Sequence, residues 1–225
     1  MTNILSIAAY ALSGCIGLTA MPQIDVPNVS AVQDYAFKNS GIRSFKSTFA
    51  TVFGDECFAG CTYLTGVHSE CSANNNSASF TKGALSGCTS LVCVDVPDGA
   101  SIYSYALAGC TALNSIGLPK LYLVDSYALS GCINVTSVDT SRMRYVFDYA
   151  FAYSGLTSFT VNYNMLNPSD GQFKKTAFYG CSNMKSIIAP KSVESLGYTN
   201  TLCGVTYENV LFKDNEMYIA LGSLD

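Results

Sequence analysis

A short motif, Tyr-Ala-Leu-Ser-Gly-Cys, returns along most of the chain and constrains the fold more than any other feature. Near copies occupy Tyr10–Cys15, Ala84–Cys88, Tyr105–Cys110 and Tyr127–Cys132. Looser copies occupy Cys57–Cys61 and Ala177–Cys181, and two more, Tyr35–Gly41 and Tyr149–Gly155, carry Ser in place of Cys. Counted from the second residue of the motif, these eight units have a basic period of 22 residues, with insertions. Such a repeat predicts a solenoid, because one unit cannot bury its apolar face without its neighbours.

Apolar residues hold fixed places within the units. The seventh place after the start carries Leu18, Leu64, Leu91, Leu113, Val135 and Met184; the tenth carries Met21, Val67, Val94, Ile116, Val138 and Ile187; the eighteenth carries Ile102, Val124 and Val146. Alternation around the tenth place predicts a short strand, which a proline such as Pro97 or Pro119 ends. The Ala-Leu-x-Gly-Cys segment is too short for a full helix and predicts a single helical or 3₁₀ turn. The predicted fold is therefore a repeat solenoid of about eight coils, built from short parallel β-strands and single turns.

The consensus of an Ala-Leu or Ala-Phe pair, a Cys, a Leu, an Ile and a Pro resembles the BspA-like class of leucine-rich repeat, over about residues 8–196. The resemblance implies a leucine-rich-repeat solenoid. It also implies a surface or adhesion protein that binds other proteins, since the proteins it resembles are bacterial, protozoan and viral surface proteins.

The repeat divides the chain into two predicted parts. Residues 1–196 form the solenoid, with polar insertions near 69–80, around Asn74-Asn75-Asn76, and near 162–172. Residues 197–225 leave the repeat and are rich in apolar residues. They form either a C-terminal cap over the last coil or a segment for oligomerisation or anchoring.

Six of the ten cysteines share one place in the repeat: Cys15, Cys61, Cys88, Cys110, Cys132 and Cys181. We expect them to form a column of free, buried thiols, because cysteine packs as a small hydrophobe and Ser40 and Ser154 replace it in two units. The chain has no C-x-x-C pair and His68 is its only imidazole, so we predict no metal site and no cofactor.

Candidate catalytic groups are few. His68 is the only histidine, and Asp95 and Asp139 share one repeat place but are separated by a whole coil that carries Gly117. We interpret them, with Asp25, as solvated surface residues and predict no catalytic residue. A glycan-active enzyme that uses an aspartate pair is the remote alternative. Three further aspartates come just before a unit, where we expect them to accept backbone N–H bonds: Asp34, Asp55 and Asp148.

Tyrosine recurs immediately before the unit Ala, at Tyr10, Tyr35, Tyr105, Tyr127 and Tyr149. One interpretation is a half-buried ladder whose hydroxyls reach water. The other is a stacked aromatic strip that binds a partner or a glycan, since tyrosine supplies rigid, amphipathic contact area. The sequence alone leaves the exposure of these side chains open.

Composition limits the partners. Only 12% of the residues are charged and the net charge is −4, which argues against electrostatic binding to nucleic acid. No apolar run reaches the roughly 18 residues that a membrane-spanning helix needs. Protein partners or cell-surface ligands remain.

The start of the chain bears on function. The repeat begins almost at Met1, so we expect an assembly neighbour to cover the first coil. Leu12–Cys15 matches a lipoprotein cleavage box, but the repeat explains this segment and no convincing signal peptide is present. The sequence therefore predicts a non-enzymatic, protein-binding scaffold that is a structural or adhesion subunit of a larger assembly, such as a phage or virus particle. The alternative is an exported cell-surface adhesin. Both place the protein outside the cell, on its surface or on a virion.

Overall fold

The structure, a computed structural model, describes residues 4–20, 23–70, 78–162, 172–174, 176–190, 201–202, 205–206, 209–213 and 216–220. One 3₁₀ helix spans Ile16–Ala20. In chain order the strands are β1 (Ser6–Ile7), β2 (Ile24–Asp25), β3 (Ala31–Val32), β4 (Ser44–Ser47), β5 (Val52–Phe53), β6 (Gly66–Ser69), β7 (Ala78–Phe80), β8 (Cys93–Asp95), β9 (Gly99–Ile102), β10 (Ser115–Gly117), β11 (Leu123–Val124), β12 (Tyr145–Val146), β13 (Ser158–Thr160), β14 (Gln172–Phe173), β15 (Ser186–Pro190), β16 (Thr201–Leu202), β17 (Val205–Thr206), β18 (Asn209–Lys213) and β19 (Glu216–Ala220).

The strands stack coil upon coil into parallel sheets. One eight-stranded sheet has the order β1-β3-β5-β7-β9-β11-β12-β14, and a five-stranded sheet has the order β2-β4-β6-β8-β10. The predicted strand near the tenth repeat place is confirmed by β6, β8 and β10. The sequence missed the strands of the eight-stranded sheet, because most of them are only two residues long and show no alternation.

Each coil places equivalent apolar residues directly above one another. In the eight-stranded sheet Phe53 pairs in register with Phe80, and Val124 pairs with Ile102 on one side and Val146 on the other. All five side chains are buried. The predicted core places are also buried at Leu64, Leu91, Leu113, Val135, Met184, Val67, Val94 and Ile187, and partly buried at Leu18, Ile116 and Val138. Met21 lies outside the described residues.

The Ala-Leu-x-Gly-Cys segments form single turns of the 3₁₀ type, as predicted. In the fifth unit the Ala108 N–H donates to Tyr105 and the Cys110 N–H donates to Leu107, each three residues back. The intervening N–H groups point elsewhere: Leu107 donates to Ala128 and Gly109 to Ser130, both at 2.8 Å, in the next coil. The turns are therefore hydrogen-bonded along the solenoid, as a third face beside the two sheets.

In the two units that carry Ser in place of Cys, the backbone passes closer to the preceding coil than in the other units. These two units are one residue shorter. Gly155, which follows Ser154, is buried, and its N–H donates to the Cys132 carbonyl at 3.2 Å. A Cβ at Gly155 would meet the carbonyl of Ile133 closer than any allowed contact. Gly41 has the same relation to Ile16 in the first coil. The Ser-Gly pair is thus required by the close approach of backbone.

Gly155→Ala is therefore expected to lower the free energy of unfolding by about 1–3 kcal/mol, because the new methyl group forces two coils apart. Gly17→Ala is the matched control, since a Cβ at Gly17 has no atom within 4 Å. Urea unfolding followed by circular dichroism measures both. Equal stabilities of the two variants would contradict the close approach.

The strand direction changes after the last parallel coils. A four-stranded sheet has the order β13-β15-β19-β18, in which β13 and β15 are parallel and β19 runs antiparallel to both β15 and β18. Strands β16 and β17 pair antiparallel. The residues at the centres of the two insertions, 71–77 and 163–171, lie outside the described residues, so the Asn74-Asn75-Asn76 loop stays a prediction. The domain boundary near 196 and the role of residues 197–225 also stay predictions.

The first coil exposes apolar side chains. Ile4, Leu5 and Ile16 are each more than half exposed. The prediction that an assembly neighbour covers this coil stays a prediction.

Candidate binding face: the tyrosine ladder

The cysteine column lies inside the solenoid. Cys61, Cys88, Cys110, Cys132 and Cys181 are buried and free, and each thiol contacts a carbonyl of the preceding coil, at 2.9–3.2 Å. Burial raises the pKa of these thiols, that of Cys132 to about 12. Such thiols are poor nucleophiles. Cys15 departs from the prediction, because in the first coil it is exposed.

The candidate catalytic groups lie on the outer side of the five-stranded sheet. The register places His68 between Lys46 and Asp95, and Gly117 follows Asp95. His68 Nδ1 lies 2.9 Å from Asp95 Oδ2, and both side chains are more than a third exposed. Asp139 instead accepts the backbone N–H of Ser141 at 2.9 Å, and this bond lowers the pKa of its carboxyl. These groups are surface residues, as the sequence predicted.

The aspartates that precede the units connect coils. Asp34 Oδ1 accepts the backbone N–H of Asp55 at 2.8 Å, and Asp55 Oδ1 accepts that of Lys82 at 3.1 Å. Asp148 Oδ1 accepts the hydroxyl of Thr176 at 2.6 Å. The predicted acceptance of backbone N–H groups is confirmed at Asp34 and Asp55, although the donors belong to the next coil rather than to the same turn. Asp148 accepts a side-chain hydroxyl instead. Across the described residues, no three His, Cys, Asp or Glu side chains come together as a metal site would require.

The recurring tyrosines stack into a ladder along the turn face. Ring centroids lie 4.9 Å apart in the pairs Tyr10–Tyr35, Tyr105–Tyr127 and Tyr127–Tyr149, and the ring planes differ by at most 13°. Tyr10 and Tyr105 are exposed, while the other three are half-buried. We call these five residues the tyrosine ladder. The half-buried ladder of the first interpretation and the stacking of the second are both present. Binding of a partner or a glycan stays a prediction.

The backbone at each ladder position is left-handed. Its φ angles are 60°, 59°, 61°, 58° and 58° at Tyr10, Tyr35, Tyr105, Tyr127 and Tyr149. This region costs a residue with a Cβ roughly 1–2 kcal/mol, whereas glycine enters it freely. Glycine is accommodated here, because Gly83 occupies the same place with a φ of 65°. Tyrosine is thus retained five times where glycine would relieve strain, and strain of this kind concentrates at functional sites.

A row of glycines, whose main chain carries no side chain of its own, shares the turn face with the tyrosine ladder. It consists of the unit glycines Gly87, Gly109 and Gly131, and a Cβ added to any of them would meet only backbone of the preceding glycine within 4 Å. At the ends, side chains lie over the glycine of the next coil: Asn39 over Gly60 and Tyr153 over Gly180. The central coils therefore present rigid aromatic edges and accessible main chain together, which suits contact with another polypeptide.

The sequence identified the ladder but missed two features of it. Tyr179 extends the aromatic surface, because its ring lies 5.6 Å from both Tyr149 and Tyr153 in edge-on contacts. Glu56 and Gly83 occupy ladder places in the third and fourth units and interrupt the stack. Alignment of the residue before each unit would have shown the interruption, whereas the left-handed backbone has no signal in the sequence.

Stacked parallel coils that bury the same repeat places in unit after unit define a repeat scaffold of the leucine-rich class. A family model described as the BspA type leucine-rich repeat region matches six copies over residues 1–101, 69–176 and 171–219. The chain belongs to this family, as its motif predicted. The family model counts six copies of the repeat, two fewer than the eight units recognised in the sequence.

Two solved structures share the fold. A leucine-rich repeat protein from Bacteroides ovatus is 21% identical with a TM-score of 0.60, over 84% of this chain and 54% of that one. A leucine rich cell surface protein from Faecalibacterium prausnitzii is 19% identical with a TM-score of 0.50, over 80% and 55%. The chain therefore spans about half the length of the structures it matches. No curated protein matches its sequence. In the described part of the chain, no helix has the length and apolarity that crossing a membrane requires.

Proposed function

We propose that this protein is a non-enzymatic scaffold, exposed on a surface, that binds a protein partner through the tyrosine ladder. The observation that carries the proposal is the retention of tyrosine at five left-handed positions, where the chain itself shows that glycine fits. Tyrosine is enriched in the cores of protein interfaces, since it offers large contact area with little side-chain entropy to lose. The cell-surface structure from Faecalibacterium prausnitzii supports the surface location.

The role within a larger assembly is a finer part of the same proposal. A sparsely charged surface with a net charge of −4 is weakly repulsive and suits close contact with neighbours. Membership of a phage or virus particle is supported by the sequence argument alone. Neighbouring genes for virion proteins would favour that role, and neighbouring genes for secretion or cell-wall sorting would favour an exported adhesin.

Replacing three ladder residues together, Tyr105→Gly, Tyr127→Gly and Tyr149→Gly, is expected to reduce capture of the partner at least about tenfold, since interface tyrosines are frequent hot spots. The fold is expected to survive, because glycine relieves the left-handed strain. The measurement is quantitative mass spectrometry of proteins captured from a surface-protein extract by the immobilised full chain.

The matched control is a triple variant on the other face: Lys46→Ala, His68→Ala and Asp95→Ala. It is expected to capture the same proteins in the same amounts as the unchanged chain. Capture that survives the ladder variant but is lost in the control would move the binding face to the five-stranded sheet.

A further inference from the structure

The turn face of the central coils carries a shallow trough beside the tyrosine ladder. Its floor is formed by two neighbouring columns of small residues, which are half-buried rather than covered. One column holds the residue before each unit glycine, and the other holds the glycine itself. We call this surface the turn trough, and its floor consists of Ser86, Gly87, Ala108, Gly109, Ser130 and Gly131.

Larger side chains stand at both ends of the trough. At one end Lys38 and Asn39 occupy the two columns, and at the other end Tyr153 and Tyr179 occupy them. Asn39 and Tyr153 each have a left-handed φ of 55° at the place of the unit glycine. The chain therefore accommodates large side chains in both columns, yet it has only Ser, Ala and Gly in three successive units. The backbone geometry does not impose these small residues, and they leave the trough open.

The wall of the trough is the central part of the tyrosine ladder. The first column lies beside the rings, since Lys38, which belongs to this column, has its ammonium 5.2 Å from the centroid of the Tyr35 ring. Both faces of the Tyr127 ring are covered, because it stacks on Tyr105 and on Tyr149. The wall therefore presents ring edges and hydroxyl groups, and a sugar ring has no free face of Tyr127 on which to stack.

The floor has no backbone group left to pair with a ligand. Each of its six N–H groups donates to a carbonyl, as Gly109 does to Ser130 at 2.8 Å, and each of its six carbonyls already accepts an N–H group. In the part of the chain that the structure describes, the hydroxyls of Tyr105, Tyr127 and Tyr149 have no hydrogen-bond partner in the protein. They reach solvent, since no buried polar side-chain atom in that part lacks a partner. The trough thus offers hydroxyl donors beside a saturated backbone.

We propose that the turn trough binds a proline-rich segment of the protein partner in the polyproline II conformation. Such a segment has carbonyl acceptors but few N–H groups, so tyrosine hydroxyls pair with it and no backbone donor is needed. Addition of a β-strand would instead need free N–H and C=O groups on the floor, and these are already paired. Neither the floor nor the wall carries a charged side chain, which favours an uncharged segment. The inference rests on the proposed function, because the partner is the protein that docks on the tyrosine ladder.

The spacing of the ladder fits this conformation. A polyproline II helix advances roughly 9.3 Å in each turn of three residues. Two steps of the ladder, each 4.9 Å between ring centroids, cover nearly the same distance. A segment that runs along the solenoid axis therefore places carbonyls that are one turn apart beside Tyr105 and Tyr149.

The test is a nuclear magnetic resonance titration of the isotope-labelled full chain with N-acetyl-hexaproline amide. Saturable shifts are expected at the backbone amides of Ala108, Gly109, Ser130 and Gly131. The control peptide has the same length but alternates glycine and serine. It is expected to bind at least about fivefold more weakly, because its flexible backbone must be ordered on binding. Absence of saturable shifts in the trough, or equal binding of the two peptides, would overturn the proposal.

Removal of the hydroxyls tests the wall. The triple variant Tyr105→Phe, Tyr127→Phe and Tyr149→Phe keeps the stacked rings and is expected to weaken binding of hexaproline at least about fivefold, because the donors are lost. The matched control is the double variant Tyr63→Phe and Tyr122→Phe, at exposed tyrosines outside the ladder. Its binding is expected to be unchanged. Equal binding by the triple variant and the unchanged chain would show that the hydroxyls do not hold the peptide.

Filling the floor tests the position. Ala108→Tyr puts into the trough the side chain that Tyr179 carries at the same repeat place, and it is expected to abolish binding. Ser13→Tyr is the control, because Ser13 takes this place in the first unit, outside the trough. Binding that persists in Ala108→Tyr would place the peptide elsewhere. The triple phenylalanine variant keeps the test valid even when Ala108→Tyr does not fold.

The two proposals fail separately. Loss of partner capture in the triple glycine variant, combined with no binding of hexaproline, removes the proline-rich segment and leaves the tyrosine ladder as the binding face. Hexaproline that binds in the trough without competing with the captured partner would overturn the assignment of this segment to the partner. Partner capture that survives the triple glycine variant overturns the proposed function itself.

Discussion

Raising the pH from 8 to 10.5 is expected to destabilise the protein through its buried thiols. A thiol in the cysteine column stays protonated in the folded state, whereas in the unfolded chain it ionises near its ordinary pKa. The folded pKa is the higher one, so the stabilisation is complete below pH 9 and is lost as the pH rises toward the folded value. For Cys132, whose pKa rises from 9.0 to about 12, the full loss corresponds to about 4 kcal/mol, of which about 2 kcal/mol is lost by pH 10.5.

The variant Cys132→Ser isolates this effect from other groups that titrate in alkali. Serine occupies the equivalent place in two units, so the coil accommodates it. At pH 8 the variant is expected to be about 1 kcal/mol less stable, because a hydroxyl is harder to bury than a thiol. At pH 10.5 the order is expected to reverse by about the same amount. Urea unfolding with a reductant present measures both values, and parallel pH profiles would show that the thiol is not held protonated.

Phe58→Ala is expected to cost roughly 3–5 kcal/mol of unfolding free energy. The Phe58 ring is fully buried, stacks on Phe37 with centroids 5.1 Å apart and meets Phe45 edge-on at 5.3 Å. Phe37 and Phe45 belong to the coil that precedes the coil of Phe58. Truncation of Phe58 therefore opens a cavity between two adjacent coils. A loss of this size is a large fraction of the total stability of a typical domain.

Phe49→Ala provides the comparison within the same chain. Phe49 is 38% exposed, and its truncation is expected to cost no more than about 1 kcal/mol. Thermal and urea unfolding of the two variants test the difference. A small effect of Phe58→Ala would mean that the coils repack around the missing ring.

The repeat made the core predictable, because each apolar place is filled in many units. A prediction for one repeat place therefore rests on several residues rather than on one. Leu64, Leu91 and Leu113 are buried for the same reason, and so are the cysteines of the central coils. Cys15 was predicted wrongly, since a repeat place specifies burial only where a coil has neighbours on both sides. A pattern within one chain contains no information about where the stack ends.

The candidate site was predictable only as a set of residues. The position of tyrosine before each unit was visible in the sequence, but a left-handed backbone at tyrosine runs against the preference of that residue. Hydrogen bonds between coils help to hold it, as where the Tyr105 N–H donates to Ser126 in the next coil at 3.1 Å. The interruption of the ladder at Glu56 and Gly83 was missed for a related reason, because recurring tyrosines do not reveal the units in which another residue takes their place.

The hydrogen-bonded turns have a mechanical consequence. The hydrogen bonds of both long sheets and of the turn face join each coil to the next. A pull along the solenoid axis therefore loads all coil–coil interfaces in series, and they separate one at a time. Each coil that peels away releases 22 residues, or on the order of 75 Å of extended chain. A protein that holds a partner at a surface in this way would lengthen stepwise under tension and keep the remaining coils intact.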